Sequence, residues 1–106
     1  MTKQTLGQKQ RWFTGMIGEL IAFAYASGYE LTFGDAYRSP DIDYGHQNSL
    51  HKVRLAVDFN LFKDGVYLTK TSDHEPLGIF WESIGGTWGG RFKDGNHFSL
   101  EHDGMK

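Results

Sequence analysis

Three residues of this 106-residue chain, His51, Asp58 and His97, have the side-chain chemistry of a transition-metal site. The chain contains no cysteine, so any such metal must be held by imidazole and carboxylate groups. Two imidazoles and one carboxylate suit a single zinc ion, and three protein ligands leave its fourth position open to water. Asp94 stands three residues before His97, where a turn could bring its carboxylate to that water as a proton acceptor. The pattern therefore favours a hydrolytic zinc site over a purely structural one.

Two predicted strands decide where these side chains point. Apolar and polar residues alternate along 55–61, so Asp58 lies on the face opposite the core. His51 precedes Asp58 by an odd number of residues, so it must sit in the loop or turn before this strand to reach the same face. The same alternation over 97–101 directs His97 away from the core. The two strands and the preceding turn can therefore bring the three ligands to one cleft.

Periodicity and turn residues predict the remaining elements. An amphipathic helix is expected over 6–27, with a capping box from Thr5 and Gln8 and a stop at Gly28. The other expected elements are a short strand at 29–33, an irregular connection at 34–50, a hairpin turn at Asp64-Gly65 into 66–69, and a helix from Pro76 to Ile84. This order predicts a single α+β domain over residues 1–106. Helices are expected on one face of a small, mainly antiparallel sheet, with the zinc site on the other.

Composition limits the partners that this chain can have. Its net charge is −2 and its isoelectric point is about 6.2, without the basic surface expected of a nucleic-acid-binding protein. The first residues contain no apolar segment like that of a signal peptide. The most apolar stretch, 16–26, carries Glu19 and is too short to span a bilayer. We therefore expect a monomer, made in a cytoplasm, that neither binds nucleic acid nor inserts into membranes.

Three segments of the chain resemble, in order and spacing, the motifs of one known protein family. Ser49-Leu-His-Lys-Val-Arg-Leu-Ala-Val-Asp58 is similar to SxHxxGxAxD, the first zinc motif of the M15 peptidases. Asp94-Gly-Asn-His97 is similar to the second motif, and Ala36-Tyr-Arg-Ser39 is similar to the upstream segment that carries an active-site arginine. One departure is visible, because Arg54 occupies the position of the glycine in the first motif. This departure affects the local backbone turn and removes no metal ligand.

The resemblance implies a fold like that of M15 peptidases and hedgehog domains, with one zinc ion on the three ligands named above. It also implies that Asp94 is the general base and that Arg38 stabilises an oxyanion or binds a substrate carboxylate. Ser49 is implied to support the substrate side of the site. Trp88 lies among four glycines, which makes it harder to bury, and we expect it to line the substrate cleft.

The function that this resemblance implies is hydrolysis of a peptide bond in the stem peptide of bacterial peptidoglycan. The short chain without a signal peptide is most similar to the phage endolysins of the family. These bacteriolytic enzymes are made in the host cytoplasm and cut the L-alanyl-D-glutamate bond of the cell wall after release. A D-alanyl-D-alanine carboxypeptidase or dipeptidase is the enzymatic alternative. The non-enzymatic alternative is a binding module in which zinc only holds a small domain together.

The other three histidines are weaker candidates for the site. His46 lies five residues before His51 and is the strongest rival ligand. His74 precedes a predicted helix start, and His102 has core-facing parity near the last strand, where it could border the site. The zinc prediction therefore rests on two of the five histidines.

Overall fold

The computed structural model describes residues 4–39, 41 and 49–106. The helices and strands are, in chain order, α1 (Leu6–Ala26), β1 (Glu30–Phe33), β2 (Ala56–Lys63), β3 (Val66–Leu68), α2 (Glu75–Ser83), β4 (Thr87–Trp88) and β5 (His97–Ser99). Short 3-10 helices lie at Leu50–Val53, Thr71–His74 and Gly89–Phe92. The predicted α+β class, a small antiparallel sheet with helices, is confirmed. The rival ligand His46 lies outside the described residues.

Helix α1 begins and ends where the sequence predicts. The Gln8 N–H donates to Thr5 Oγ1 over 3.1 Å, and the Thr5 N–H donates to Gln8 Oε1 over 2.8 Å, which forms the expected capping box. The chain leaves the helix through Gly28, whose φ of 88° is in the left-handed region. The buried face of α1 consists of Phe13, Met16, Ile17, Leu20 and Ala24. No helix in the described parts of the chain is long and apolar enough to cross a membrane.

The sheet is antiparallel and centred on β2. One edge of β2 pairs with β1, and the other pairs with β5 near its start and with β3 near its end. Strand β4 pairs with β5, which gives the order β1-β2-β5-β4 with β3 beside β2. The turn between β2 and β3 uses Asp64 and Gly65, with φ values of 51° and 78°. Two successive left-handed residues match the twist of the strands that they join, so this hairpin prediction is confirmed.

Strand β2 separates the core from the functional face, as its alternation predicts. Phe59 and Leu61 are buried in the core, whereas Asp58 and Asn60 are only partly buried. Both helices contribute to this core, which α2 enters through Trp81. Because successive strand residues point to opposite faces, the apolar packing of β2 holds Asp58 on the other side of the sheet.

Trp88 lies in the core rather than in the cleft, which corrects its expected position. It is 2 % exposed. A Cβ atom on Gly78 would lie 2.0 Å from its indole, and one on Gly90 would lie 2.2 Å from it, so both glycines make room for the ring. The indole N–H donates to the Gly95 carbonyl over 2.8 Å. The glycines therefore create a pocket for Trp88, whereas the sequence suggested that they would leave it exposed.

Candidate metal centre

The structure brings His51, Asp58 and His97 together, and we call these three residues the triad. Asp58 Oδ1 lies 3.3 Å from His51 Nε2 and 3.1 Å from His97 Nδ1. One ligand atom from each residue lies within 4.8 Å of the others. The side chains are 4 %, 21 % and 9 % exposed in chain order. The triad is therefore shielded from most solvent contact, with Asp58 as its most accessible member.

Backbone pairing on both edges of β2 fixes the position of Asp58. On one edge, Asp58 and His97 are partners in the β2–β5 register. On the other edge, the Asp58 N–H donates to the Asp35 carbonyl over 2.7 Å, and the Gly34 N–H donates to the Asp58 carbonyl over 2.8 Å. A Cβ atom on Gly34 would lie 3.1 Å from that carbonyl oxygen, so the close pairing favours glycine there. The sheet itself, rather than a loop, therefore positions this carboxylate.

His51 reaches the triad from the 3-10 helix that precedes β2. The His51 N–H donates to Ser49 Oγ over 3.2 Å, so the Ser49 hydroxyl caps this helix. His51 Nδ1 lies 3.0 Å from the Ala36 carbonyl oxygen. A carbonyl oxygen can only accept a hydrogen bond, so Nδ1 carries the proton. In the neutral ring the lone pair is then on Nε2, the atom that faces Asp58.

Arg54 shows why the first motif favours glycine. The residue has φ 58° and ψ 36°, in the left-handed region that is unfavourable for most side chains. The backbone N–H of Arg54 donates to the His51 carbonyl over 3.4 Å and closes the turn into β2. The guanidinium carbon lies 4.0 Å from the ring centroid of Tyr37, a cation–π contact that glycine could not make. The departure from the motif therefore preserves the backbone turn.

Contacts within the triad shift two pKa values. Burial alone would raise the pKa of Asp58, but hydrogen bonds with His51 and His97, and the charges of both imidazoles, lower it from 3.8 to about 2. Burial alone would lower the pKa of His51, but hydrogen bonds with Asp58 and the Ala36 carbonyl raise it above its ordinary value. Asp58 is therefore anionic at neutral pH and attracts either a proton on His51 or a metal cation.

Asp94 faces the triad from a tight turn between the last 3-10 helix and β5. Its Oδ2 lies 4.0 Å from His97 Nδ1, and its side chain is 54 % exposed. The His97 N–H donates to the Asp94 carbonyl over 3.1 Å, and the Asp94 N–H donates to the Gly89 carbonyl over 2.9 Å. A Cβ atom on Gly89 would lie 2.2 Å from the Asp94 carbonyl oxygen and 2.7 Å from His97 Cβ. Only glycine fits at position 89 while the turn keeps this position.

A cleft of about 520 Å³ opens over the triad. Besides the triad, it is lined by Arg38, Ser49, Leu50, Phe92, Asp94, Gly104, Met105 and Lys106. Arg38 is buried, and its Nη2 lies 3.0 Å from Asp35 Oδ2. The cleft therefore collects five of the residues predicted to bind metal or substrate, in addition to Asp94, whereas Trp88 is buried in the core and does not line it.

Several residues of the site carry no strong signal in the sequence. The Ala36 carbonyl orients His51 through its backbone, which any residue type would provide. Asp35 forms an ion pair with Arg38, three residues later, and this short spacing between opposite charges is the one local signal of the contact. Phe92 lines the cleft with its ring centroid 6.1 Å from that of His97. These contacts depend on where separate segments meet, so spacing along the chain gave little indication of them.

The two remaining described histidines lie outside the cleft. His74 directly precedes α2, and its Nδ1 lies 2.8 Å from the Lys70 carbonyl oxygen. His102 Nε2 lies 3.2 Å from Asp103 Oδ2. Neither residue lines the cleft over the triad.

The donor set of the triad fits a zinc ion. Imidazole nitrogen and carboxylate oxygen are both common zinc ligands, and a negative Asp58 offsets part of the charge of the cation. The Ala36 carbonyl supplies the second hydrogen bond that typically orients a metal-binding imidazole. Among residues 4–39, 41 and 49–106, the triad is the one group of three His, Cys, Asp or Glu side chains close enough to share an ion. Asp94 lies outside this group.

Comparison with known proteins agrees with the motifs. A family model of M15 peptidases, described as D-alanyl-D-alanine carboxypeptidase, matches residues 42–100, which is more than half of the chain. No curated protein sequence matches this one. The matched segment contains the whole triad and Asp94, whereas Arg38 and residues 101–106 lie outside it. The chain therefore belongs to the M15 family of peptidases, as its motifs predict.

Proposed function

We propose that this protein is a zinc peptidase that hydrolyses the L-alanyl-D-glutamate bond in the stem peptide of peptidoglycan. One observation carries the proposal: Asp94 Oδ2 lies 4.0 Å from His97 Nδ1 and faces the same cleft as the triad without belonging to it. A structural metal site needs no carboxylate beside it, whereas hydrolysis needs a group that accepts a proton from water.

The triad would hold the zinc ion, and the other residues of the cleft would act on the substrate. When bound, zinc supplies Lewis acidity, which polarises a carbonyl group and makes water more acidic. Asp94 accepts the proton of the attacking water as the new C–O bond forms. It then donates this proton to the nitrogen of the leaving amine as the C–N bond breaks. Proton balance is thus maintained by a single carboxylate.

Arg38 is suited to stabilise negative charge in the cleft. It is 7 % exposed and lines the cleft, so water screens its charge less than that of a surface arginine. The Arg38 Nη2 group donates a hydrogen bond to Asp35 Oδ2 over 3.0 Å. A guanidinium that is held in place before the reaction offsets charge on a carbonyl oxygen with little reorganisation.

The exposure of the Asp94 side chain supports endopeptidase activity over carboxypeptidase activity. The side chain is 54 % exposed, so the cleft is open beside the proposed base. A peptide can then continue on both sides of the bond that is cut, which an L-alanyl-D-glutamate substrate requires. Of the described residues that line the cleft, Phe92, Asp94, Gly104 and Lys106 are exposed.

Asp94→Asn tests the role of the base with little change in shape. We expect this variant to bind one zinc ion per chain and to release amino groups from purified peptidoglycan at least about 100-fold more slowly. Asp64→Asn is the matched control, because Asp64 lies in the β2–β3 turn and asparagine accepts its left-handed conformation. Elemental analysis measures the zinc. Undiminished hydrolysis by Asp94→Asn would reject the proposed base.

The same assay separates an enzyme from a zinc-stapled binding module. His51→Ala should lose both zinc and hydrolysis, because it removes one of three ligands. A wild-type protein that binds zinc and peptidoglycan but releases no amino groups would contradict the peptidase proposal and favour the module.

A D-alanyl-D-alanine carboxypeptidase is the second candidate, favoured by the description of the matching family. Mass spectrometry of digested muropeptides distinguishes the two reactions. A carboxypeptidase releases free D-alanine, whereas the proposed endopeptidase leaves peptides that begin with D-glutamate. Digestion with and without a chelator shows which products depend on the metal.

A further inference from the structure

A short hairpin follows β5 and returns the chain towards the triad. Asp103 and Gly104 have φ values of 50° and 79°, two successive left-handed residues as in the tightest β-turns. On either side of this turn, the His102 and Met105 N–H groups each donate to the other's carbonyl over 3.0 Å. We call residues 102–105 the closing hairpin. The turn sets the direction of the chain at the next residue, Lys106.

The closing hairpin is attached to the rest of the fold. Lys9 Nζ lies 3.3 Å from the Glu101 carbonyl oxygen and 3.2 Å from His102 Nδ1, which ties the hairpin to the first turns of α1. Met105 is partly buried and packs against the hydrophobic core. The hairpin is therefore held by both polar and apolar contacts.

This attachment places Gly104, Met105 and Lys106 on the wall of the cleft that contains the triad. Among the described residues, Arg38 and Lys106 are the arginine and the lysine that line this cleft. Arg38 is paired with Asp35, whereas Lys106 is exposed and makes no hydrogen bond or ion pair with any described residue. The ammonium group of Lys106 is thus available to a ligand in the cleft. All three wall residues lie beyond the segment that matches the family, 42–100.

We propose that the closing hairpin and the residue after it, Lys106, form a specificity wall, in which Lys106 binds a substrate carboxylate and Met105 contacts an adjacent apolar group. This inference rests on the proposed function. Both candidate substrates carry a carboxylate on the residue that supplies the leaving nitrogen: the free α-carboxylate of γ-linked D-glutamate, or the terminal carboxylate of D-alanine. A partly exposed ammonium–carboxylate pair contributes modestly, so the expected preference is about fivefold.

The test compares substrates that differ only in this charge. One synthetic pair carries D-glutamate with a free α-carboxylate or an α-carboxamide, and a second pair ends in D-alanine as the acid or the amide. We expect the zinc-loaded wild type to prefer the acid of the pair that it cleaves by about fivefold in kcat/KM. Lys106→Gln should abolish this preference by raising the KM for the acid, with kcat and the rate for the amide nearly unchanged.

Lys63→Gln is the matched control, because Lys63 is an exposed lysine at the end of β2 and does not line the cleft. This control should keep the wild-type preference. A Met105→Ala variant should raise the KM for acid and amide alike, because it removes an apolar contact and no charge. Thermal melting of each variant verifies that the fold is retained.

Binding provides a second readout that does not need catalysis. Calorimetric titration with a product peptide that begins with D-glutamate should give a Kd about fivefold higher for Lys106→Gln than for the wild type, and no difference for the amidated peptide. An unchanged acid preference in Lys106→Gln, or equal binding of acid and amide by the wild type, would overturn the specificity wall alone. Failure of the wild type to cleave either pair would count against the proposed function, and the titration would still decide the role of Lys106.

Discussion

Asp58 and His97 are register partners in the β2–β5 pair, and Asp58 Oδ1 lies 3.1 Å from His97 Nδ1. A single antiparallel pairing thus positions two of the three triad residues. The third, His51, arrives from the turn before β2 and approaches the same carboxylate oxygen to 3.3 Å. The sheet supplies a rigid base for the site, and the neighbouring turns supply the side chains that complete it.

The stability of the metal-free protein should fall in acid because of Asp58. Its pKa is lowered from 3.8 to about 2, so the folded state favours the ionised carboxylate. The resulting stabilisation, about 2 kcal/mol, is present above pH 4 and is lost as the pH falls through about 2. Urea unfolding with a chelator present, measured between pH 5 and 2, provides the test. Asp58→Asn should lack this part of the pH dependence, and an identical acid slope in both proteins would contradict the prediction.

Zinc affinity should weaken as the pH falls through the pKa of His51. That pKa is raised in the metal-free protein, and a protonated imidazole cannot bind a metal. The sign for folding is opposite to that of Asp58: the proton on His51 stabilises the metal-free fold below the ordinary pKa, and this contribution is lost as the pH rises through the raised value. We expect the zinc Kd to rise about tenfold per pH unit below the raised pKa. Competition titrations across pH 5–8 measure this, and a flat profile would contradict it.

Two glycine-to-alanine changes should have opposite effects on stability. Gly78→Ala would place a Cβ atom 2.0 Å from the Trp88 indole and should lower the free energy of unfolding by about 2–3 kcal/mol. Gly18 lies within α1, with no atom within 4 Å of an added Cβ. Gly18→Ala should therefore stabilise the protein by about 0.5–1 kcal/mol. Urea unfolding of both variants tests the pair, and equal effects would refute the packing of Trp88 against Gly78.

Trp88→Phe should impair catalysis without removing the metal. The substitution leaves the buried Gly95 carbonyl without its donor and loosens the turn that carries Asp94. We expect kcat to fall about tenfold while zinc content stays at one per chain. Trp81→Phe is the control, because the Trp81 indole N–H donates to Thr87 and Ser99 rather than to this turn. It should lower stability with a smaller change in kcat, and equal losses of kcat would argue against a specific role for Trp88.

Asp35→Ala should lower kcat/KM through Arg38. Asp35 Oδ2 lies 3.0 Å from Arg38 Nη2, so its removal takes away one of the contacts that orient the guanidinium. We expect kcat/KM to fall about tenfold with unchanged zinc content, because Asp35 does not belong to the triad. Glu82→Ala removes a comparable ion pair with Arg91, at 2.7 Å, away from the cleft. That control should leave kcat/KM unaltered, and a matching loss would show that Asp35 acts through stability alone.

Local sequence patterns determined much of this protein. The capping box of α1, the Asp64-Gly65 turn and the alternation of β2 each depend on residues close together in the chain. They predicted the α+β class and placed Asp58 on the face away from the core. The motifs also identified the M15 family, to which more than half of the chain matches.

Only the tertiary structure decided which distant segments meet. The β2–β5 register joins Asp58 to His97, and the pocket for Trp88 needs Gly78 from α2 beside Gly90. Such contacts depend on the packing of whole elements, which the spacing of residues along the chain does not encode. The same holds for the closing hairpin, which lines the cleft with Gly104 and Met105 and is attached to α1 through Lys9. The sequence thus determined which chemical groups are available at the site, and long-range packing decided which residues line the cleft around them.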